Sequence, residues 1–185
     1  RLKPLNMYGY SKQMFDLWAL RHGFFDRIAG IKYFNVYGPR EAHKGDMRSM
    51  VHKACCQVRE TGKIRLFKSD NPDYRDGEQL RDFMYVKDAV AVTLFFAENR
   101  EANGLFNCGT GQARSWLDLA RAVFAAMKVE PQIEFIAMPE ALRAKYQYHT
   151  QAELSRLRAA GYAEQFTALE AGVRDYIACL QAGGH

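Results

Sequence analysis

Tyr8 and Lys12 stand four residues apart in the stretch Tyr8-Gly9-Tyr10-Ser11-Lys12. In a helix this spacing puts a phenol and an ammonium on one face, a turn apart. A free tyrosine, with a pKa near ~10, is a poor base at neutral pH. A neighbouring cation favours the phenolate. Bringing a phenol down to about 7 takes roughly 4 kcal/mol of differential stabilisation. A tyrosine tuned in this way takes a proton from a hydroxyl while hydride leaves the same carbon. The plainer reading is an ordinary amphipathic helix. Tyr10 has no equivalent partner, because position 14 is Met14.

The pattern around the pair predicts alternating helices and strands. A helix runs from Met7 to about His22, with Met14, Phe15, Leu17 and Trp18 as its packing face. Residues 28–34 read as a buried strand leading into the turn Tyr37-Gly38-Pro39-Arg40. Met47, Met50, Val51, Ala54, Cys55 and Val58 follow helical spacing, and Gly62 ends that helix. A strand over 64–67 and a polar loop over 68–80 follow. Next come a strand over 83–86 and an apolar helix capped by Asp88 and running to Phe96. A strand over 105–108 precedes a helix opened by Ser115 and Asp118, and a strand covers 133–136. Thr150 with Glu153, and Thr167 with Glu170, read as two capping boxes, each heading a helix; Gly161 ends the first. Strands alternating with helices make the fold α/β.

Composition narrows the function. The 185 residues are 48% hydrophobic and 13% aromatic, enough for a sizeable core in one or two domains. The net charge of +5 suits an anionic ligand such as a nucleotide diphosphate. No run of basic residues supports nucleic-acid binding. The longest apolar run, 89–97, is too short to span a bilayer. Cys55, Cys56, Cys108 and Cys179 have no zinc spacing and read as reduced thiols in a cytoplasmic protein. No metal site is expected. The chain opens at Arg1 without G-x-G-x-x-G, the nearest element being Gly109-Thr110-Gly111. This reads as a fragment, or as a chain doing something other than its motif suggests.

Four segments in order carry a resemblance: Tyr8 to Lys12, Lys32 to Arg40, Arg81 to Asp88, and Phe106-Asn107-Cys108-Gly109-Thr110-Gly111. Together they resemble the extended short-chain dehydrogenase/reductases, the nucleotide-sugar epimerase and dehydratase superfamily. The stretches 34–45, 145–151 and 157–162 are similar to the ADP-L-glycero-D-manno-heptose 6-epimerase family in particular. The resemblance covers essentially the whole chain and only the C-terminal portion of the family. It implies the end of a Rossmann-type NAD(P)-binding domain over 1–40. A smaller α/β substrate-binding domain is expected mainly over 41–185, with segments around 80–110 returning to the Rossmann part. The N-terminal dinucleotide-binding half is absent.

The same resemblance assigns roles. NADP (or NAD) takes hydride from C6″ of ADP-D-glycero-D-manno-heptose and returns it to the opposite face, supplying heptose for lipopolysaccharide core. Tyr8 and Lys44 are the two proton carriers. Lys12, Val36 and Lys44 meet the cofactor. Asn35, Asp46, Lys53, Phe67, Lys68, Ser69, Asp70, Arg81 and Tyr146 meet the substrate. Arg81 suits pyrophosphate, since a guanidinium matches phosphate oxygens in pairs; its plain alternative is an ion pair with Asp82 or Asp88. Phe67 and Tyr146 read equally as core residues, and Lys44 as a solvated loop lysine. Asp46 stands where the family leads one to expect serine, and Lys53 where it leads one to expect a phosphate-binding histidine. The full-length enzyme is expected to form a homo-oligomer. The alternatives are another nucleotide-sugar epimerase or dehydratase, and a non-catalytic truncated fragment that binds nucleotide sugar.

Overall fold

The computed structural model describes residues 4–183. Helix α1 covers Met7–Arg21, capped by Asn6, whose side chain accepts from the Gly9 N–H. A 3-10 segment, Phe24–Asp26, leads into strand β1, Ala29–Tyr33, and then β2, Asn35–Tyr37. A second 3-10 segment, Ala42–Met47, precedes α2, Met50–Thr61. Then come β3 (Ile64–Phe67), β4 (Leu80–Tyr85), α3 (Val86–Glu98), β5 (Gly104–Cys108), β6 (Ala113–Ser115) and α4 (Trp116–Met127). The remainder is β7 (Ile133–Ile136), α5 (Glu140–Arg143), α6 (Ser155–Ala159) and α7 (Leu169–Gln181).

The strands form three small sheets. β1 pairs in parallel with β5, and β3 with β7. β2 pairs in parallel with β4, which takes β6 antiparallel on its other edge. Two apolar clusters hold these together. One joins α2, α4 and α7 over β3 and β4, through Val51, Cys55, Ile64, Leu119, Phe124, Val173 and Ile177. The other surrounds β5 and α3, through Met84, Val92, Phe96, Phe106, Leu157 and Tyr162. Parallel pairing with intervening helices is the α/β arrangement the sequence predicts.

Several local expectations are corrected. The α1 side chains Met14, Phe15, Leu17 and Trp18 are exposed, and Ala19 is the buried residue of that helix. Its apolar residues lie on more than one side, so they do not form one packing stripe. The helix rests on the Phe24–Asp26 segment through stacking of Trp18 on Phe24, and Asp16 pairs with Lys32 of β1. β1 is half-buried rather than buried, because β5 is its one strand partner among the described residues. The expected strand over 83–86 is the longer β4, and Val86 opens α3. Met47 lies outside α2, which begins after the Ser49 cap. Asp88 caps nothing: it lies in the first turn of α3 and accepts from the Thr167 N–H and hydroxyl. That bond takes Thr167 away from the helix it was expected to cap, and Glu170 pairs with Arg114 instead. α7 therefore starts without a capping box. Thr150 is likewise engaged elsewhere, accepting from the Asp82 N–H. The short α6 starts only after Leu154. The box at Ser115 and Asp118 forms as expected.

Candidate active site

The candidate residues come from helix α1, strand β2, the 3-10 segment Ala42–Met47, helix α2, the end of β3 with the loop after it, the start of β4 and the segment after α5. Lys12 Nζ sits 4.7 Å from the centre of the Tyr8 ring, so the helical spacing does bring ammonium and phenol together. Both line a cleft of about 690 Å3 with Ile31, Phe34, Val36 and Thr93. Tyr8 is open to solvent on α1.

Phe34 and Val36 also line a second cleft, of about 330 Å3, with Asn35, Lys44, Met50 and Trp116. Lys44 reaches it from the 3-10 segment. There the chain turns at Gly45, with φ 54° and ψ −126°, a conformation that a side chain would strain. The loop is tied internally: the Lys44 N–H donates to the Glu41 carbonyl, and Arg48 Nε donates to the Gly45 carbonyl at 2.7 Å. Asp46 is exposed, and its backbone carbonyl accepts from Lys53 Nζ at 2.6 Å.

Met50 and Trp116 continue into a third cleft, of about 480 Å3, lined with Lys53, Gln57, Arg65, Phe67, Leu142 and Tyr146. Trp116 Nε1 donates to the Tyr146 hydroxyl at 2.9 Å. Arg81 is buried beside both rings, its guanidinium carbon 5.0 Å from the centre of Tyr146 and 5.7 Å from that of Trp116. Burial lowers the Arg81 pKa, and Tyr146 opposes that shift. Burial likewise raises the Tyr146 phenol, against the pull of Arg81. Arg81 pairs with neither Asp82 nor Asp88; its Nη1 donates to the Leu80 carbonyl. Phe67 is half-buried at the cleft wall and is not part of either core cluster.

The structure thus strings the candidates along three adjoining clefts. Tyr8, Lys12 and Val36 lie in the first, Asn35, Val36 and Lys44 in the second, and Lys53, Phe67 and Tyr146 in the third. Lys68, Ser69 and Asp70 line none of them. The Lys68 N–H extends the β7 pairing by donating to Ile136. Ser69 bonds within the loop to Asp76 and Asn71, and Asp70 pairs with Arg143 at 3.1 Å.

Trp116, Met50, Gln57 and Arg65 are site-lining residues that the sequence does not announce. Trp116 lies on the buried stripe of its own helix, three, four and seven residues before Leu119, Ala120 and Val123, so by spacing it reads as core. Also unannounced is a buried network of Glu41, Ser49, His52 and Tyr176 under the Lys44 loop.

The fold and the paired tyrosine and lysine define a class. The model of the NAD dependent epimerase/dehydratase family matches residues 1–109, and the chain belongs to that family. Within it, the chain is 59% identical over 177 residues to an ADP-L-glycero-D-manno-heptose-6-epimerase of Nitratidesulfovibrio vulgaris, covering 96% of this chain and 55% of the relative. It is 45% identical to the enzyme of the same name from Fusobacterium nucleatum, again over 96% of this chain and 55% of the relative. The crystal structure of Helicobacter pylori ADP-L-glycero-D-manno-heptose-6-epimerase superposes with a TM-score of 0.79 at 29% identity, over 97% of this chain and 52% of that one. The resemblance to the heptose epimerases is borne out. The chain spans about half the length of the curated relatives it matches.

Proposed function

We propose that this chain is part of an enzyme that epimerises ADP-D-glycero-D-manno-heptose at C6″ to the L-glycero form, feeding heptose into lipopolysaccharide core. Residues 1–40 and the segments around 80–110 belong to its cofactor-binding part, the remainder to its substrate-binding part. The observation that carries the reading is the adjoining series of clefts, with Tyr8 and Lys12 at one end, Lys44 in the middle and the aromatic, basic cleft at the other.

The residues of the first cleft fit a nicotinamide dinucleotide. Lys12 supplies donors for ribose hydroxyls, and Val36, the middle residue of the parallel strand β2, lines the same cleft as Tyr8. The cofactor, NADP in this proposal, supplies reversible hydride acceptance at C6″. Tyr8, with the Lys12 ammonium beside its ring, takes the C6″ hydroxyl proton as the hydride leaves. Lys44 moves the proton on the opposite face, which inversion requires, and also contacts the cofactor. Asn35 holds the sugar by its amide. Lys53 and Arg65 bring positive charge to the third cleft for the diphosphate, with Arg81 beside its aromatic wall. Phe67 and Tyr146 enclose the nucleotide. Asp46 borders the sugar, and Lys68, Ser69 and Asp70 form the outer edge of the nucleotide site.

The test is to incubate the full-length protein containing this chain with ADP-D-glycero-D-manno-heptose and follow the C6″ epimers by NMR. Conversion supports the substrate. Turnover of a UDP- or dTDP-hexose in its place keeps the family and rejects the heptose.

A further inference from the structure

Beneath the Lys44 loop lies a buried chain of hydrogen bonds with one possible proton arrangement. Arg48 Nη1 lies 3.1 Å from His52 Nε2, His52 Nδ1 lies 2.8 Å from the Tyr176 hydroxyl, and that hydroxyl donates to Glu41 Oε1 at 2.9 Å. An arginine has no acceptor, so His52 Nε2 must present its lone pair. A carboxylate has no donor, so the Tyr176 proton goes to Glu41. Tyr176 then accepts from His52, and His52 is the neutral Nδ1–H tautomer. Glu41 also accepts from the Ser49 N–H at 2.8 Å and from the Ser49 hydroxyl. Glu41, His52 and Tyr176 are nine-tenths or more buried.

Both ends of this chain grip the segment 41–49. Arg48 donates through Nε and through its N–H to the Gly45 carbonyl, next to Lys44. Glu41 begins the segment and, through its carbonyl, accepts from the Lys44 N–H. Tyr176 belongs to α7, 135 residues from Glu41, and so anchors the loop to the core.

We propose that Glu41, His52 and Tyr176, with Arg48, are positioning residues that hold Lys44 at the second cleft. This rests on the reading of Lys44 as a proton carrier. The relay functions only while His52 is neutral, because a second proton would face the Arg48 guanidinium. Burial holds the His52 pKa down, with Arg48 and Arg59 acting in the same direction and Glu41 opposing. The groups facing the ring are thus Arg48 and Glu41 from the loop, Arg59 from α2 and the Tyr176 hydroxyl from α7.

The experiment uses Tyr176→Phe in the full-length protein, with two readouts. The lost bond to a charged group predicts amide exchange at Lys44 and Arg48 faster by about tenfold or more, and kcat lower by a similar factor with KM within about twofold. Unchanged exchange at both amides overturns the proposal. A second measurement needs no variant: 15N NMR of His52 in the parent places the ring proton on Nδ1, and a proton on Nε2 overturns the relay. If the parent fails to epimerise the heptose, the functional reading falls, while exchange and tautomer still decide whether the relay holds the loop.

Discussion

Asp82 is fully buried, and its carboxylate gathers three backbone N–H groups from two segments remote in sequence. Thr110 donates by its N–H at 2.8 Å and by its hydroxyl at 2.6 Å, Gly111 by its N–H at 2.9 Å, and Ala152 by its N–H at 2.9 Å. Replacing Asp82 by alanine leaves these three amides without a partner. Each unsatisfied buried group costs about 1–3 kcal/mol. Three give about 3–9 kcal/mol, and partial relaxation brings the expectation to about 4 kcal/mol, a large share of a typical domain stability of about 5–15 kcal/mol. Asp82→Asn retains one oxygen and turns an N–H pair toward donors, so about 2 kcal/mol is expected on the same scale. Urea unfolding followed by tryptophan fluorescence measures both, with the midpoint shift read at constant slope. A loss under about 1 kcal/mol in Asp82→Ala would refute the reasoning, because it would mean that water or a small rearrangement satisfies all three amides.

The other expectations are quickly stated. Gly109→Ala places its Cβ 2.7 Å from both Ala152 Cβ and Asp82 Oδ2, and thermal unfolding should show a loss of at least about 2 kcal/mol. Stability should fall with acid below about pH 6.5, the ordinary histidine range. His52 is held neutral in the fold, so the unfolded chain binds the extra proton first; urea titrations of the parent and His52→Gln at pH 5 and pH 7.5 should show a smaller pH dependence in the variant. Lys87→Met breaks an exposed pair with Asp175 at 2.7 Å and should change stability by less than about 1 kcal/mol in the same assay.

The legible parts of this fold were those governed by local rules. Gly62 ends α2 with φ 72°, and the Ser115 box opens α4 because both its partners lie within one turn. The boxes at Thr150 and Thr167 had the same local pattern, yet long-range partners claimed their side chains, Asp82 and Asp88 respectively. A short motif does not reveal such competition. The Tyr8 and Lys12 pairing followed from helix geometry alone. Arg81, by contrast, sits against Tyr146, 65 positions later, so its setting depended on tertiary packing that no spacing rule encodes. The relay under Lys44 was hidden for the same reason, since Tyr176 arrives from the last helix.

The central claim is a two-sided proton mechanism, with Tyr8 on one face of the sugar and Lys44 on the other. The most direct measurement follows C6″ interconversion of ADP-D-glycero-D-manno-heptose by the full-length protein beside its Tyr8→Phe and Lys44→Met variants. The account predicts conversion by the parent and a drop in kcat of about 100-fold or more in each variant, the usual scale for losing an acid/base group. Parental turnover in either variant would contradict it.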